Sequence, residues 1–403
     1  MVNVAILGFG TVGSGVAEVL TTNGGLIDKR TENLVRLKYI LDVRDFPNSP
    51  YQSCLVQDFS VIEADPEVDI VVETIGGATV ALDYTQRALR AGKNVVSSNK
   101  ELVAAHGYDL LQLAKENGVN YLFEASVGGG IPILRPLNSC LAANALSQIT
   151  GILNGTTNYI LTRMIHGGLT FEQALQEAQE KGYAERDPSA DVDGHDACRK
   201  ICILSALAFG EHIYPKQVQM QGIREVTLAD VAYADSCDYK IKLLGRSIRL
   251  ENGTICAFVA PHLVSGENPL AGVENVFNAI TVTGNAIGDV MFYGQGAGKL
   301  PTASAAVADV IDLAKDLNTS RHNAWGPGAE DLVVSPDILV SRWYVRAMTT
   351  SRAARSAFGE ISLMARSGAP EGEIAFLTNA MTEPQVREKL AGMKICALIR
   401  ALD

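Results

Sequence analysis

No stretch of this chain is apolar for long enough to cross a bilayer. The longest such run, Ile201 to Phe209, is interrupted by Ser205, whereas a spanning helix needs about 20 apolar residues. No block of basic residues occurs, and the net charge is −11; both argue against nucleic acid or an anionic membrane as the partner. The N-terminus, Met1-Val-Asn-Val-Ala-Ile-Leu-Gly8, has no basic region and no cleavage site, so it reads as a strand and the cytoplasm is the expected compartment. The seven cysteines are odd in number and lack the spacing of a disulfide framework. Cys198 and Cys202 lie one helical turn apart with His195 nearby, but a zinc site needs a fourth ligand and a tighter knuckle. Reduced thiols packed in a core are the better reading. What remains is 403 residues, 47% hydrophobic and 20% charged, an ordinary globular composition with room for two or three domains.

The N-terminal end carries the first motif. A short apolar strand meets Gly8-Phe-Gly10-Thr11-Val12-Gly13, and an amphipathic helix follows. Gly8 permits a tight turn, Gly10 lets backbone approach a pyrophosphate, and Gly13 lets helix and strand pack closely. The helix start at Thr11 and Val12 offers unpaired N–H groups to an anion. Strands over Leu34–Val43, Asp69–Thr74, Asn94–Ser97 and Asn120–Glu124 alternate with helices over 82–91 and Glu101–Glu116. Their Val/Ile runs lack polar alternation, as in parallel strands covered on both faces. Loops at the carboxyl ends of such strands face the ligand crevice. Thr74, Ser98 and Lys100 therefore join the glycine turn as expected cofactor contacts. After the second strand stand Asp42, Arg44 and Asp45. An acid there favours NAD and an arginine NADP; with Val43 pointing inward, Arg44 comes first past the strand, which favours NADP and leaves NAD as the alternative.

Two central segments carry further chemistry. Glu185-Arg-Asp-Pro-Ser-Ala-Asp191-Val-Asp-Gly-His-Asp196-Ala-Cys-Arg-Lys200 is a loop broken by Pro188 and Gly194 that leads into a helix. Asp196 and Lys200, four apart, share a face. Such a loop suits a small molecule bearing both charges, with proton transfer from an amine; a surface ion pair is the plainer alternative. Phe123-Glu124-Ala-Ser-Val127-Gly-Gly129-Gly-Ile131-Pro132 exposes carbonyls beside a carboxylate. That set fits a hard cation or, on composition alone, a hinge between domains.

These segments closely resemble homoserine dehydrogenase. The resemblance rests on Gly-Phe-Gly-Thr-Val-Gly, Ser-Asn-Lys-Glu, Phe-Glu-Ala-Ser-Val-Gly-Gly-Gly-Ile-Pro, Gly151-Ile-Leu-Asn-Gly-Thr-Thr-Asn158, Gly182-Tyr-Ala-Glu185-x-Asp-Pro, Asp191-x-x-Gly-x-Asp196-Ala-x-Arg-Lys200 and Gly294-Gln-Gly-Ala-Gly298-x-x-Pro-Thr302. They run in family order from residue 4 to about 315. The resemblance implies reversible reduction of L-aspartate 4-semialdehyde to L-homoserine by NAD(P)H, in threonine and methionine synthesis. It implies Lys200 as proton donor or acceptor, Asp196 as its support, Lys100 beside the nicotinamide, Glu185 and Asp191 on the substrate ammonium with Thr156 beside them, and Gly298 near the cofactor. It also implies a sodium ion held by Glu124 with the carbonyls of Val127, Gly129 and Ile131, and a homodimer. No kinase-like segment precedes Met1, so a fused aspartokinase is not expected.

The expected fold is α/β: a Rossmann-type doubly wound parallel sheet over residues 1–130, completed by a helix at about 302–317. An α+β substrate and dimerisation domain follows over 131–301, with a capping box at Thr170–Gln173 and sheet-like alternation from Ala271 to Met291. A polar linker at 318–340 leads to a small ACT-like α+β domain at 341–403, with strands near Trp343–Met348, Glu373–Leu377 and Ala397–Leu402 and helices over Arg352–Arg366 and Pro384–Met393. Two departures mark that domain. Thr350-Ser-Arg-Ala-Ala-Arg355 replaces the usual Asp-Arg-Pro-Gly turn, and the span before Glu373 looks too short for a full strand. A structural or dimer-contacting remnant therefore stands beside threonine regulation. Two rival functions fit less well. An acylating semialdehyde dehydrogenase would need a nucleophilic cysteine; Cys140, on an apparent helix without a nearby histidine, fits poorly. A non-enzymatic nucleotide-binding regulator sits badly with the full set of catalytic residues.

Overall fold

The computed structural model describes residues 1–319 and 325–402. The chain forms two compact units: Met1–Leu146 with Cys202–Pro215 and Thr283–Glu330, and Ser147–Ile201 with Lys216–Val282 and Asp331–Asp403. The first is built on six strands: β1 (Val2–Leu7), β2 (Val35–Leu41), β3 (Leu55–Val56), β4 (Ile70–Glu73), β5 (Asn94–Ser97) and β6 (Tyr121–Leu122). They pair in parallel in the order β3-β2-β1-β4-β5-β6. The chain leaves β1 in one direction and returns at β4 on its other side, so the β1/β4 junction is the topological switch point, where doubly wound sheets bind ligands. Val4, Ile6, Val72 and Val96 are fully buried and pack with Val16 and Leu20 of the helix Thr11–Thr22 and Ala303, Ala306 and Val310 of the helix Lys299–Lys315. The late helix thus belongs to the nucleotide-type sheet, beginning three residues before its expected start.

The second unit contains β7 (Leu146–Ile152), β8 (Gln219–Met220), β9 (Tyr239–Arg249), β10 (Ile255–Ser265) and β11 (Phe277–Gly284); β12 (Gly288–Gln295) follows along the chain. β9 and β10 form the longest antiparallel pair, from Ile255↔Arg249 to Ser265↔Tyr239. The C-terminal segment runs β13 (Trp343–Met348), helix Ser351–Phe358, β14 (Ser362–Met364), β15 (Glu373–Leu377), helix Glu383–Lys389 and β16 (Lys394–Leu402). β16 pairs in parallel with β10, with His262↔Arg400 and Val264↔Leu402, so these strands continue the unit's sheet in the order β11-β7-β9-β10-β16-β13-β15-β14.

Three expectations need correction. The helix read over Arg352–Arg366 stops at Phe358, because Gly359 takes φ +77 and ψ −121, a non-helical conformation open to glycine. The span before Glu373, read as too short for a full strand, holds only the three residues of β14. The polar linker read over 318–340 is partly packed core: residues 320–324 lie outside the described residues, but Trp325 is buried against Phe123 and His212, ring centroids 5.7 Å from each. Cys198 and Cys202 are buried free thiols, as read, whereas Cys140, read on a helix, is exposed in a turn after the helix Leu134–Asn138.

Candidate active site

The second unit brings Lys200, Asp196 and Asp191 together. Asp196 and Lys200 stand one turn apart on the helix His195–Phe209. Lys200 Nζ donates to Asp196 Oδ2 and to the Leu153 carbonyl, both at 2.7 Å. Their side chains are 9% and 4% exposed, so this is a buried charge-assisted pair and not a solvated surface bridge. Asn154, absent from the expected site, organises the acids. Its Nδ2 donates to Asp191 Oδ1 at 2.7 Å and to Asp196 Oδ2 at 2.9 Å. Its Oδ1 accepts from Thr157 N at 2.8 Å and caps the helix Gly155–Gly167. An Asn ahead of Gly-Thr-Thr was a visible N-cap signal; its hold on the two acids was not. Burial, then the charge of Asp196, push the Asp191 carboxyl above its ordinary range. Thr156 Oγ1 donates to the Tyr183 carbonyl at 2.6 Å. Glu185 sits on the exposed loop, outside this hydrogen-bonded cluster.

The first unit gathers the nucleotide-side residues at the switch point. Gly8 takes φ +91, and a Cβ on Gly13 would lie 1.9 Å from the Gly8 carbonyl oxygen; only glycine fits either place. A Cβ on Gly10 would meet nothing within 4 Å, so the backbone there faces open space at the start of the helix Thr11–Thr22, with Val12 in its first turn. Thr74 Oγ1 donates to the carbonyls of Leu7 and Gly8, both at 2.9 Å, and fastens the glycine turn to the end of β4. Ser98 N donates to the Glu73 carbonyl at 3.1 Å. Lys100 is half-buried and opens the helix Lys100–Glu116, which Asn99 caps by accepting from Leu102 N. Gly298, at φ +123, precedes the helix Lys299–Lys315.

Val43 does not point inward. β2 ends at Leu41, and Val43 is 86% exposed. Arg44 folds back on Asp42, with Nε to Oδ1 and Nη2 to Oδ2 both at 3.0 Å. Asp42 also accepts from Phe9 N of the glycine turn at 2.8 Å. The Arg44 guanidinium holds the Asp42 carboxyl down at about 2.

Around Glu124 the structure departs from the expected ligand set. The carboxylate accepts from the backbone N–H groups of Ile133 (2.7 Å), Leu134 (3.0 Å) and Arg135 (2.7 Å). It serves the orphan donors at the start of the helix Leu134–Asn138. The loop backbone still suits a hard cation. Gly128 and Gly129 take φ +77 and +53, and the Ile131 carbonyl oxygen comes within 3.0 Å of where a Gly128 Cβ would stand. A Cβ on Gly128 would also stand 3.2 Å from the Ile131 Cβ, so this is a tight glycine turn that a side chain would fill.

A parallel doubly wound sheet with a glycine turn at its switch point, and a unit with a buried lysine–aspartate pair, define an NAD(P)-dependent oxidoreductase. Residues 8–124 match the family model described as homoserine dehydrogenase, NAD binding domain, and residues 132–311 the model described as homoserine dehydrogenase. The chain belongs to the homoserine dehydrogenase family. It is 39% identical to the homoserine dehydrogenase of Bacillus subtilis over 352 residues, covering 86% of this chain and 81% of the relative. Against that of Neisseria gonorrhoeae it is 36% identical over 416 aligned positions, covering 98% and 95%. The crystal structure of a homoserine dehydrogenase from Thiobacillus denitrificans superposes with TM-score 0.90 at 33% identity, over 100% of this chain and 98% of that one. A hyperthermophilic archaeal homoserine dehydrogenase, solved in complex with NADPH, matches with TM-score 0.67 at 30% identity, over 80% of this chain and 99% of that one.

Proposed function

We propose that this enzyme reversibly reduces L-aspartate 4-semialdehyde to L-homoserine with NADPH, a step that serves threonine and methionine synthesis. The observation that carries the reading is the buried Lys200–Asp196 pair with Asp191 tied to it through Asn154. When bound, the reduced dinucleotide supplies the hydride. As the aldehyde oxygen gains negative charge it needs a stabilising cation and then a proton, and an amine positioned by two acceptors provides both. Lys200 gives that proton in reduction and takes it back in oxidation; Asp196 and the Leu153 carbonyl fix its direction. A substrate α-ammonium is drawn to carboxylates. Asp191, which among the described residues has no cation in hydrogen-bond contact, is one such partner, and Glu185 on the same loop is the second, with Thr156 beside them. Lys100 takes the place next to the nicotinamide. Gly8, Gly10, Gly13 and the helix start at Thr11 and Val12 take the pyrophosphate, with Thr74, Ser98 and Gly298 lining the cofactor.

NADP is the preferred cofactor on this reading, with Arg44 turning from Asp42 to a 2′-phosphate. The Asp42–Arg44 pair itself favours the second possibility, NAD, because in that pairing Asp42 stands at the end of β2, where a ribose hydroxyl pair binds. A monovalent cation, sodium, is held by the carbonyls of Val127, Gly129 and Ile131 and the backbone at Glu124, bracing that loop. The enzyme works as a cytoplasmic homodimer and has no nucleic-acid or membrane partner.

Purified protein given L-homoserine and NADP+ or NAD+ in alkaline buffer should produce reduced nicotinamide; no reaction with either defeats the proposal. Lys200→Ala should lower kcat roughly a thousandfold while cofactor affinity stays near wild type. Arg44→Ala should raise the KM for NADPH more than that for NADH, and equal damage to both would remove the NADP assignment.

A further inference from the structure

Glu73 ends β4 at the switch point, yet it is a fully buried acid in an otherwise apolar strand, Ile-Val-Val-Glu. Its Oε1 accepts from Ile75 N at 2.7 Å, and Ser97 Oγ lies 2.6 Å from its Oε2. Ser97 Oγ also accepts from Asn99 N at 3.1 Å. Asn99 Nδ2 reaches back to the carbonyls of Ile75 (2.9 Å) and Gly77 (2.7 Å), while its Oδ1 caps the helix that begins with Lys100. The next residue, Thr74, clasps the glycine turn. One side chain therefore stands at the centre of three loops: the glycine turn after β1, Thr74–Gly77 after β4, and Ser97–Lys100 after β5.

We infer that Glu73 is a positioning residue for the dinucleotide, its buried carboxyl setting the relative placement of the glycine turn, the Ile75–Gly77 backbone and Lys100. The inference rests on the dehydrogenase reading above, in which these loops hold the cofactor. A packing role alone would be served by any apolar side chain, as at Val71 and Val72. The carboxyl is required because it satisfies donors on two different loops, and a buried backbone N–H without an acceptor is costly.

Its protonation has a consequence for binding. Burial pushes the Glu73 carboxyl up to about 7, against the lowering effect of its bonds to Ser97, Ile75 N and Asn99. Among the described residues no charged side chain contributes to that balance. Among the described residues the titratable group facing it is Tyr121 of β6. That phenol is buried, and burial first and Glu73 second hold it above its ordinary range against a lowering contact with Ser97. Near neutral pH Glu73 therefore gains a negative charge beneath the site proposed for an anionic dinucleotide, in a medium that screens poorly. The acid's folded pKa is raised, so it is neutral below about 7 and ionises above it; cofactor affinity falls as pH rises through that value.

The test measures direct NADPH binding by fluorescence from pH 5.5 to 9, alongside steady-state KM and kcat, for wild type, Glu73→Gln, Glu73→Ala and Ser97→Ala. Wild-type affinity should weaken several-fold with an inflection near 7. Glu73→Gln keeps the shape and stays neutral, so it should match wild type at pH 6 and lose the inflection. Ser97→Ala removes a bond that favours the ionised form and should move the inflection to higher pH. Glu73→Ala should weaken NADPH binding roughly tenfold at pH 6 and show no inflection. A Glu73→Gln profile that superimposes on wild type, inflection included, overturns the inference even if Glu73→Ala fails to fold. Binding is read without turnover. A chain that binds NADPH with the Glu73 signature but does not oxidise homoserine sinks the proposed reaction and leaves the positioning role standing.

Discussion

One amide in the second unit keeps two carboxylates in register. Asn154 donates to Asp191 and Asp196 from the same nitrogen and caps a helix with its oxygen. Replacing it with Ala removes the shared donor, leaves two partly desolvated acids facing each other, and strips the cap. The cap alone is worth about 1 kcal/mol. Asn154→Ala should lower Tm and also reduce kcat/KM for homoserine by tenfold or more, while NADPH binding stays unchanged. A variant with lower Tm but wild-type kcat/KM would reduce Asn154 to a cap. At this scale the sequence told most where a local rule applied. The spacing of Asp196 and Lys200 forces them onto one helical face whatever the rest of the chain does. Asn154 meets its acids 37 and 42 residues away, and Glu73 meets Ser97 24 residues away, so no neighbouring residue announces either bond. Val43 misled because the strand stopped two residues early, and strand alternation says nothing about a residue in the turn beyond.

Between elements, the helix Thr11–Thr22 lies close on the helix Lys299–Lys315 because Gly15 has no side chain. A Cβ there would sit 2.8 Å from the Lys299 carbonyl oxygen and 3.0 Å from the Ala303 Cβ. Backbone cannot step aside as a flexible side chain can, so Gly15→Val should push the helices apart. The expected cost is about 1–3 kcal/mol, read as a lower urea midpoint with weaker NADPH binding. Gly25→Ala is the control. It lies in the helix Gly24–Thr31 with nothing within 4 Å of its would-be Cβ, and should gain up to about 1 kcal/mol. If both variants unfold like wild type, Gly15 is no packing contact. Elements were legible where their signals are local. The capping box at Thr170–Gln173 opens the helix Phe171–Glu180 as read, and β5 has the bounds expected. β14 has three residues, too few to show a period. The helix before it was read past Gly359, whose positive φ ends it.

For the molecule as a whole, the question is whether residues beyond 340 form an appendage or part of the second unit. They have their own core, with Trp343, Val345, Phe358, Phe376 and Leu390, which alone would suit a removable module. A buried charge network argues otherwise. Arg346 on β13 donates to Asp230 Oδ1 at 2.8 Å and Oδ2 at 3.2 Å, and to Glu373 at 3.0 Å; Tyr344 donates to Asp230 at 2.9 Å. Asp230 is fully buried and belongs to the helix Leu228–Asp235, outside the C-terminal segment. A chain ending at residue 340 would leave that carboxylate without Arg346 and Tyr344, and would strip β16 from β10. Removing one partner of a buried pair costs about 3–5 kcal/mol, so Arg346→Met should lower the unfolding midpoint steeply, and the double variant Arg346→Met, Asp230→Asn should recover part of the loss. The chain cut at 340 should be insoluble or unfolded by circular dichroism. If it instead stayed soluble, kept its Tm and bound NADPH, the C-terminal strands would be an appended module, and any role for them in the second unit's stability would be lost.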